Sequence, residues 1–227
     1  MIIGMKEKKI INLNNNFFKT NYLQKTMISV IGAGPAGLFY ASKAKQDVHI
    51  FEEHKEVGKP VACTGILTDS IKEIINIKQD LIINKINQFK IIAPNNQSTY
   101  INLKKPNLII DRYKFDQFLL EKALDNNAKL HLNERFLDFK NSKLKTSKNT
   151  YKTDTLIGAD GPLSKVAKIS GLFKNRKFLP GLQARVKYKD LEEHTTIIKL
   201  NLGEFSWVVP EDNKIARVGI IGSNIQK

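Results

Sequence analysis

The chain predicts an α/β fold: a doubly wound, Rossmann-like dinucleotide-binding domain joined to a partial, antiparallel β-rich second domain. Three observations carry that prediction. The mostly apolar run at residues 28–31 leads directly into Gly32-Ala33-Gly34-Pro35-Ala36-Gly37, and Ala36 onward reads as a helix. A second strand over residues 47–51 ends in Glu52, twenty residues after Gly32. A third apolar run, Leu156-Ile157-Gly158, enters another turn and helix through Ala159-Asp160-Gly161-Pro162-Leu163-Ser164.

The first turn has the spacing G-x-G-x-x-G between a strand and a helix. Gly32 permits the tight turn, Gly34 leaves room for a pyrophosphate against the backbone, and Gly37 lets the helix pack close to the strand. Unpaired N–H groups at the helix start and their partial positive charge suit phosphate. Ala33, Pro35 and Ala36 complete this segment. An acidic side chain at the distance of Glu52 is placed to accept hydrogen bonds from ribose hydroxyls. The chain is therefore expected to hold an adenine dinucleotide.

The remaining elements follow from period and turn residues. Residues 1–26 are polar, Asn- and Lys-rich and aperiodic, and are expected to be a disordered extension or a mis-assigned start. Residues 68–77 have helical spacing with Thr68 or Asp69 as N-cap. Short strands are expected at 88–92, 99–103 and 107–111, and a helical stretch after Asp116 to about 126. A hairpin-rich insertion is expected over 128–139 with a turn at Asn141-Ser142, before the strand at 155–158. Beyond Gly171, residues 181–189, 195–202, 205–209 and 215–221 read as successive antiparallel strands. The domain expectation is 27–80 with 107–175 for dinucleotide binding, and 81–106 with 176–227 for a partial substrate domain.

Gly-Ala-Gly-Pro-Ala-Gly near the start, with Gly158-Ala-Asp-Gly-Pro-Leu-Ser164 later, resembles the FAD-dependent hydroxylase and reductase superfamily and its GR2-type fold. Asp111-Arg-Tyr-Lys-Phe-Asp116 is similar to that superfamily's R-x-x-F-D segment. Within it the chain resembles the geranylgeranyl reductases, chiefly the archaeal type that saturates isoprenoid lipids such as digeranylgeranylglycerophospholipids. Val57-Gly-Lys-Pro-Val-Ala-Cys-Thr-Gly65 and Gly203-Glu-Phe-Ser-Trp-Val-Val-Pro210 carry this narrower match. The resemblance implies FAD as cofactor and an isoprenoid or prenyl-phospholipid substrate. It implies flavin contacts from Cys63, Thr64, Gly65, Arg112, Asp160 and Gly161, in addition to the phosphate turn and Glu52. Cys63 would stand near the flavin ring and the reacting alkene, donating a proton or stabilising the reduced flavin, and Trp207 would line the isoprenoid tunnel; packing is the competing role for both. A flavin monooxygenase and a non-catalytic remnant of the fold are the alternatives.

The chain also departs from the family. Phe205 and Val209 replace the tyrosine and phenylalanine of the Y-x-W-x-F-P box, and the helix after Gly37 is short. No Gly-Asp dipeptide occurs, whereas relatives carry one downstream at the flavin's ribityl region. The chain is accordingly expected to be C-terminally truncated, or completed by a partner, and to bind FAD weakly by itself.

Composition narrows the rest. The formal net charge of +15 comes from lysine, since only five residues are arginine. Solvated lysine faces are the plain reading; attraction to anionic membrane surfaces is the functional one. No arginine cluster or aromatic–basic interleaving points to nucleic acid. Mean hydropathy is −0.30 and no apolar run is long enough to span a bilayer. A lone cysteine excludes intrachain disulfides and fits a reducing cytoplasm. His49, His54, His131 and His194 have no metal-ligand spacing, so no metal site is expected, and hydrolase triads are absent. The electron donor is not legible.

Overall fold

The computed structural model describes residues 2–3, 27–189 and 191–223. In chain order the strands and helices are β1 (Ile2–Ile3), β2 (Met27–Ile31), α1 (Pro35–Ala41), β3 (Asp47–Phe51), β4 (Ile66–Leu67), α2 (Ile71–Ile74), β5 (Ile82–Ile92), β6 (Ser98–Ile110) and α3 (Arg112–Asp125). They continue with β7 (Lys129–His131), β8 (Phe136–Lys140), β9 (Lys143–Thr146), β10 (Thr150–Lys152), β11 (Thr155–Gly158), α4 (Lys165–Ile169), β12 (Gly181–Lys187), β13 (Thr195–Leu200), β14 (Phe205–Pro210) and β15 (Ile215–Ile221).

The chain divides into two compact units, 1–59 with 116–174 and 60–115 with 175–227. The sequence expectation placed 60–80 and 107–115 with the first unit. They belong to the second because β4 and the end of β6 pair with each other, Ile66 opposite Ile109, inside its sheet. The two-residue strand β1 pairs antiparallel with β11; residues 4–26 of the expected extension lie outside the described residues.

The first unit is the doubly wound one. Its sheet has the order β1-β11-β2-β3-β7, with β11, β2, β3 and β7 mutually parallel. Strands buried on both faces need near-continuous apolar residues, and Ile28, Val30 and Ile31 are buried together with the small Ser29. Pro35 opens α1 as its first residue, where a missing N–H costs nothing. Helix and strand approach so closely that a Cβ on Gly37 would lie 2.1 Å from the Gly32 carbonyl oxygen and 3.2 Å from Ala159 Cβ. Gly37→Ala is therefore expected to destabilise this unit by at least about 2 kcal/mol through overpacking. An unaltered thermal midpoint would contradict that close approach.

The insertion between β7 and β11 is a three-stranded meander, β10-β9-β8. Its first turn is Asn141-Ser142, both at positive φ (50° and 56°), which matches the right-handed twist of a two-residue hairpin. Phe136 and Leu144 of the meander join Ile31, Phe51, Leu156 and Val166 in one core cluster.

The second unit is a seven-stranded sheet in the order β12-β15-β14-β13-β5-β6-β4. The three short strands expected between 88 and 111 are instead one long hairpin, β5 and β6. Polar residues hid its first half: Asn84 is buried, yet its amide donates to the Glu193 and Pro210 carbonyls at 2.6 and 3.0 Å. Pro106 is accommodated because the register jumps from Asn102 to Asn107 on β6 while β5 advances only from Gln88 to Ile86. Of the expected run of successive antiparallel strands, β13, β14 and β15 pair in that order, whereas the place of β12 and the second neighbour of β13 are corrected. β12 pairs with β15, and β13 runs parallel to β5. The helix expected over 68–77 shrinks to the single turn of α2, because Ile75 is already extended.

Candidate functional site

The phosphate turn of the first unit is open where a ligand would need it open. Gly32 sits at φ 101°, and a Cβ there would lie 2.4 Å from the Ala159 carbonyl oxygen, so the turn itself demands glycine. Gly34 is different. Its backbone is extended (φ −78°, ψ 176°), and a Cβ there would meet nothing within 4 Å. The fold does not require glycine at 34; an approaching ligand would. This open space fits a pyrophosphate held by backbone N–H groups.

Glu52 is brought to this turn. Its carboxylate is buried and accepts the Ala33 N–H at 2.8 Å and the His54 N–H at 3.0 Å. His54 Nδ1 lies 2.6 Å from the same carboxylate. Asp160 and Gly161 follow β11. The Asp160 carboxylate accepts Ser164 Oγ at 2.5 Å and the Val166 N–H at 3.0 Å, so it holds the start of α4. Ser164 Oγ in turn accepts the Ala167 N–H. Gly161, at φ 75°, has open space where a side chain would stand.

A histidine pair adjoins Glu52. His49 Nδ1 lies 3.0 Å from His131 Nε2, so one ring donates and the other accepts. The Glu52 N–H donates to the His131 carbonyl at 2.9 Å. Burial, followed by Lys129 and the facing histidine, holds His49 below the ordinary imidazole value despite Asp47. Burial, with Lys129 and Lys148, does the same for His131 against the pull of Glu134. Folding thus disfavours the protonated rings, and the unfolded chain takes up protons first as pH falls. Stability from this pair is full above about pH 6.5 and is lost progressively below it. The thermal midpoint is expected to change little between about pH 7.5 and 6.5 and to drop from there toward about pH 5.5. His131→Phe, which can keep the stack on Phe51 (4.6 Å between ring centres), should flatten that profile.

The second unit carries a cavity of about 440 Å³, lined among others by Val61, Cys63, Arg112, Gln183, Arg185 and Arg217. The loop after Lys59 brings Cys63 there, and the end of β6 brings Asp111 and Arg112. Cys63 is exposed, and its Sγ accepts the Gly65 N–H at 3.3 Å. Thr64 Oγ1 donates to Gln183 Oε1 at 2.6 Å. Trp207 does not line this cavity. It is partly buried and packs against the core cluster of Ile86, Ile109 and Val209, with its ring so close over Gly219 that a Cβ there would lie 2.2 Å away. Its Nε1 is buried without a hydrogen-bond partner.

Sequence reasoning passed over Glu211, Arg185 and Arg217, which the sheet gathers on the cavity wall. Arg185 and Arg217 stand directly opposite each other across β12 and β15. Like charges so placed repel. Glu211, buried, accepts Arg185 Nε on one oxygen and Arg217 Nε on the other, each at 2.7 Å. Nothing local in the sequence signals this, because the pairing depends on strand register. Among the described residues no group of three or more His, Cys, Asp or Glu is placed to hold a metal ion, and no helix is long and apolar enough to cross a membrane.

A parallel sheet with an open glycine turn and an acidic residue at the end of the next strand defines a dinucleotide-binding α/β protein, here with a second unit built on a mixed, mostly antiparallel sheet. No protein-family profile matches the chain. It is 32% identical over 167 residues to an uncharacterised protein of the nifH2 5′ region of Methanosarcina barkeri, covering 64% of this chain and 87% of that one. It is 26% identical over 232 residues to digeranylgeranylglycerophospholipid reductase 3 of Methanosphaera stadtmanae, covering 90% and 58%. Among solved structures, a geranylgeranyl bacteriochlorophyll reductase-like protein of Thermoplasma acidophilum superposes with a TM-score of 0.76 at 23% identity, covering 87% of this chain and 56% of that one. A halogenase in complex with phloroglucinol and FAD superposes with a TM-score of 0.67 at 17% identity, covering 88% and 52%. Over most of its length the chain is similar to curated digeranylgeranylglycerophospholipid reductases, and it shares its fold with the reductase-like protein and the halogenase. It spans 53–58% of the length of the curated reductases of that name that it matches along most of its own length.

Proposed function

We propose that the chain acts as an FAD-dependent reductase of prenyl double bonds in isoprenoid lipids. The observation that carries this reading is the open phosphate turn at Gly34 in a chain related over most of its length to digeranylgeranylglycerophospholipid reductases. The N–H groups and open face of residues 32–37, with Glu52, would hold the ADP part of FAD. Thr64, Gly65, Arg112, Asp160 and Gly161 are the further cofactor contacts of this reading. When bound, the flavin supplies a hydride equivalent. Cys63 holds a proton for the second carbon of the double bond, at a sulfur already hydrogen-bonded to the Gly65 N–H. The packing of Trp207 favours a part in shaping the sheet over direct contact with the alkene. An arginine-rich wall suits the anionic head of a prenyl phospholipid. The lysine-rich surface suits peripheral contact with anionic membrane, reached from the cytoplasm.

Supplied with FAD, the purified protein should take it up and turn yellow. Reduced anaerobically with dithionite, it should add two hydrogens per double bond to a geranylgeranyl lipid. Oxygen-dependent hydroxylation or halogenation of an aromatic would replace this reading with that of the monooxygenases and halogenases sharing the fold. A colourless protein that takes up no FAD would identify a non-catalytic remnant.

A further inference from the structure

Arg217 does more than answer the charge of Glu211. Its guanidinium is nearly buried, the side chain being 11% exposed. While Nε is held by Glu211, Nη1 donates to the Thr64 carbonyl at 2.6 Å and to the Ile110 carbonyl at 3.2 Å. Those two carbonyls belong to different segments. One lies in the loop Cys63-Thr64-Gly65; the other immediately precedes Asp111-Arg112. Both segments line the same cavity of the second unit.

The fit around the guanidinium is close enough to dictate a residue type. Gly65 has φ 77°, and a Cβ there would lie 2.7 Å from Arg217 Nη1 and 2.7 Å from the Ile110 carbonyl oxygen. The Gly65 carbonyl accepts the Ile110 N–H at 2.9 Å, and the Gly65 N–H reaches Cys63 Sγ. One planar fork therefore joins the backbone on which Cys63 is carried to the backbone on which Arg112 is carried. A strand arginine needed only for sheet stability has no reason to face a second arginine, or to need a buried carboxylate to aim it.

We infer that Arg217, oriented by Glu211, is a positioning residue that fixes the Cys63 loop against the segment carrying Arg112. A lysine cannot replace it, because a point charge lacks the fork that serves one carboxylate and two carbonyls together. Only the consequence for turnover rests on the reductase reading; the geometry can be tested without flavin or substrate.

Amide hydrogen exchange on the intact chain tests it, with Arg217→Lys, Arg217→Met and the milder Glu211→Gln. Protection of the Ile110 amide, which depends on the Gly65 carbonyl, should fall about tenfold or more in each variant. Amides of β13 and β14 remote from the loop should keep wild-type protection. In enzyme that turns over, kcat should fall about tenfold with KM for the lipid little changed, and Arg217→Lys should not rescue it. Wild-type protection at Ile110 in folded Arg217→Met or Glu211→Gln protein would overturn the inference. So would a uniform loss of protection across the sheet, which would show a purely structural role. If the reductase reading alone is wrong, turnover is absent while the local loss at Ile110 remains.

Discussion

Gly34→Val is expected to abolish flavin uptake while leaving the fold intact. The extended backbone at 34 (φ −78°, ψ 176°) is one that a β-branched residue adopts readily, and no atom lies within 4 Å of the new Cβ. The thermal midpoint of the flavin-free protein should therefore stay close to that of the parent chain. The added carbons would occupy the space a pyrophosphate needs, and affinity for FAD should fall by about a hundredfold or more, a loss of roughly 2.7 kcal/mol or greater. Flavin titration followed by fluorescence, beside a thermal scan without flavin, separates the two effects. Retained FAD affinity in this variant would remove the phosphate turn from the site and the reductase proposal with it. Gly37→Ala is the control in the opposite sense, because there the fold itself has no room.

Cys63→Ser should leave folding and flavin content unchanged and reduce alkene saturation by about 10²–10⁴-fold, the usual worth of a positioned proton donor. Cys63 is exposed rather than packed in a core, so its replacement by a smaller hydroxyl opens no cavity. Serine can still accept the Gly65 N–H, so the loop should hold its shape. The variant consequently isolates proton transfer from loop geometry, which the Arg217 variants perturb instead. Near-parental turnover would assign Cys63 to the loop's structure and leave the proton to another source.

The phosphate turn of the first unit, with the strand and helix that flank it, was legible in the sequence although the bounds of the unit were not. Strand, glycine turn and helix are contiguous there, and the signal lies in a few residues whose spacing the backbone must satisfy locally. Glu52 was legible for the same reason, since the end of a parallel strand next to β2 must lie beside the turn that follows β2. The two-residue turn at Asn141-Ser142 was legible because positive φ narrows the choice of residues. The β-rich character of the second unit was also legible, from alternating apolar residues. Its strand order was not. That β13 runs parallel to β5, and that β12 lies against β15, depends on which distant edges meet. Buried Asn84 masked half of a hairpin because its amide is satisfied by carbonyls more than a hundred residues away. Glu211, Arg185 and Arg217 were invisible for the same reason: their charges are intelligible only once strand register sets two arginines face to face with a carboxylate to share. Local chemistry is written in adjacent residues and can be read from them, whereas the cavity wall of the second unit is made by long-range pairing, and only the tertiary structure decides it.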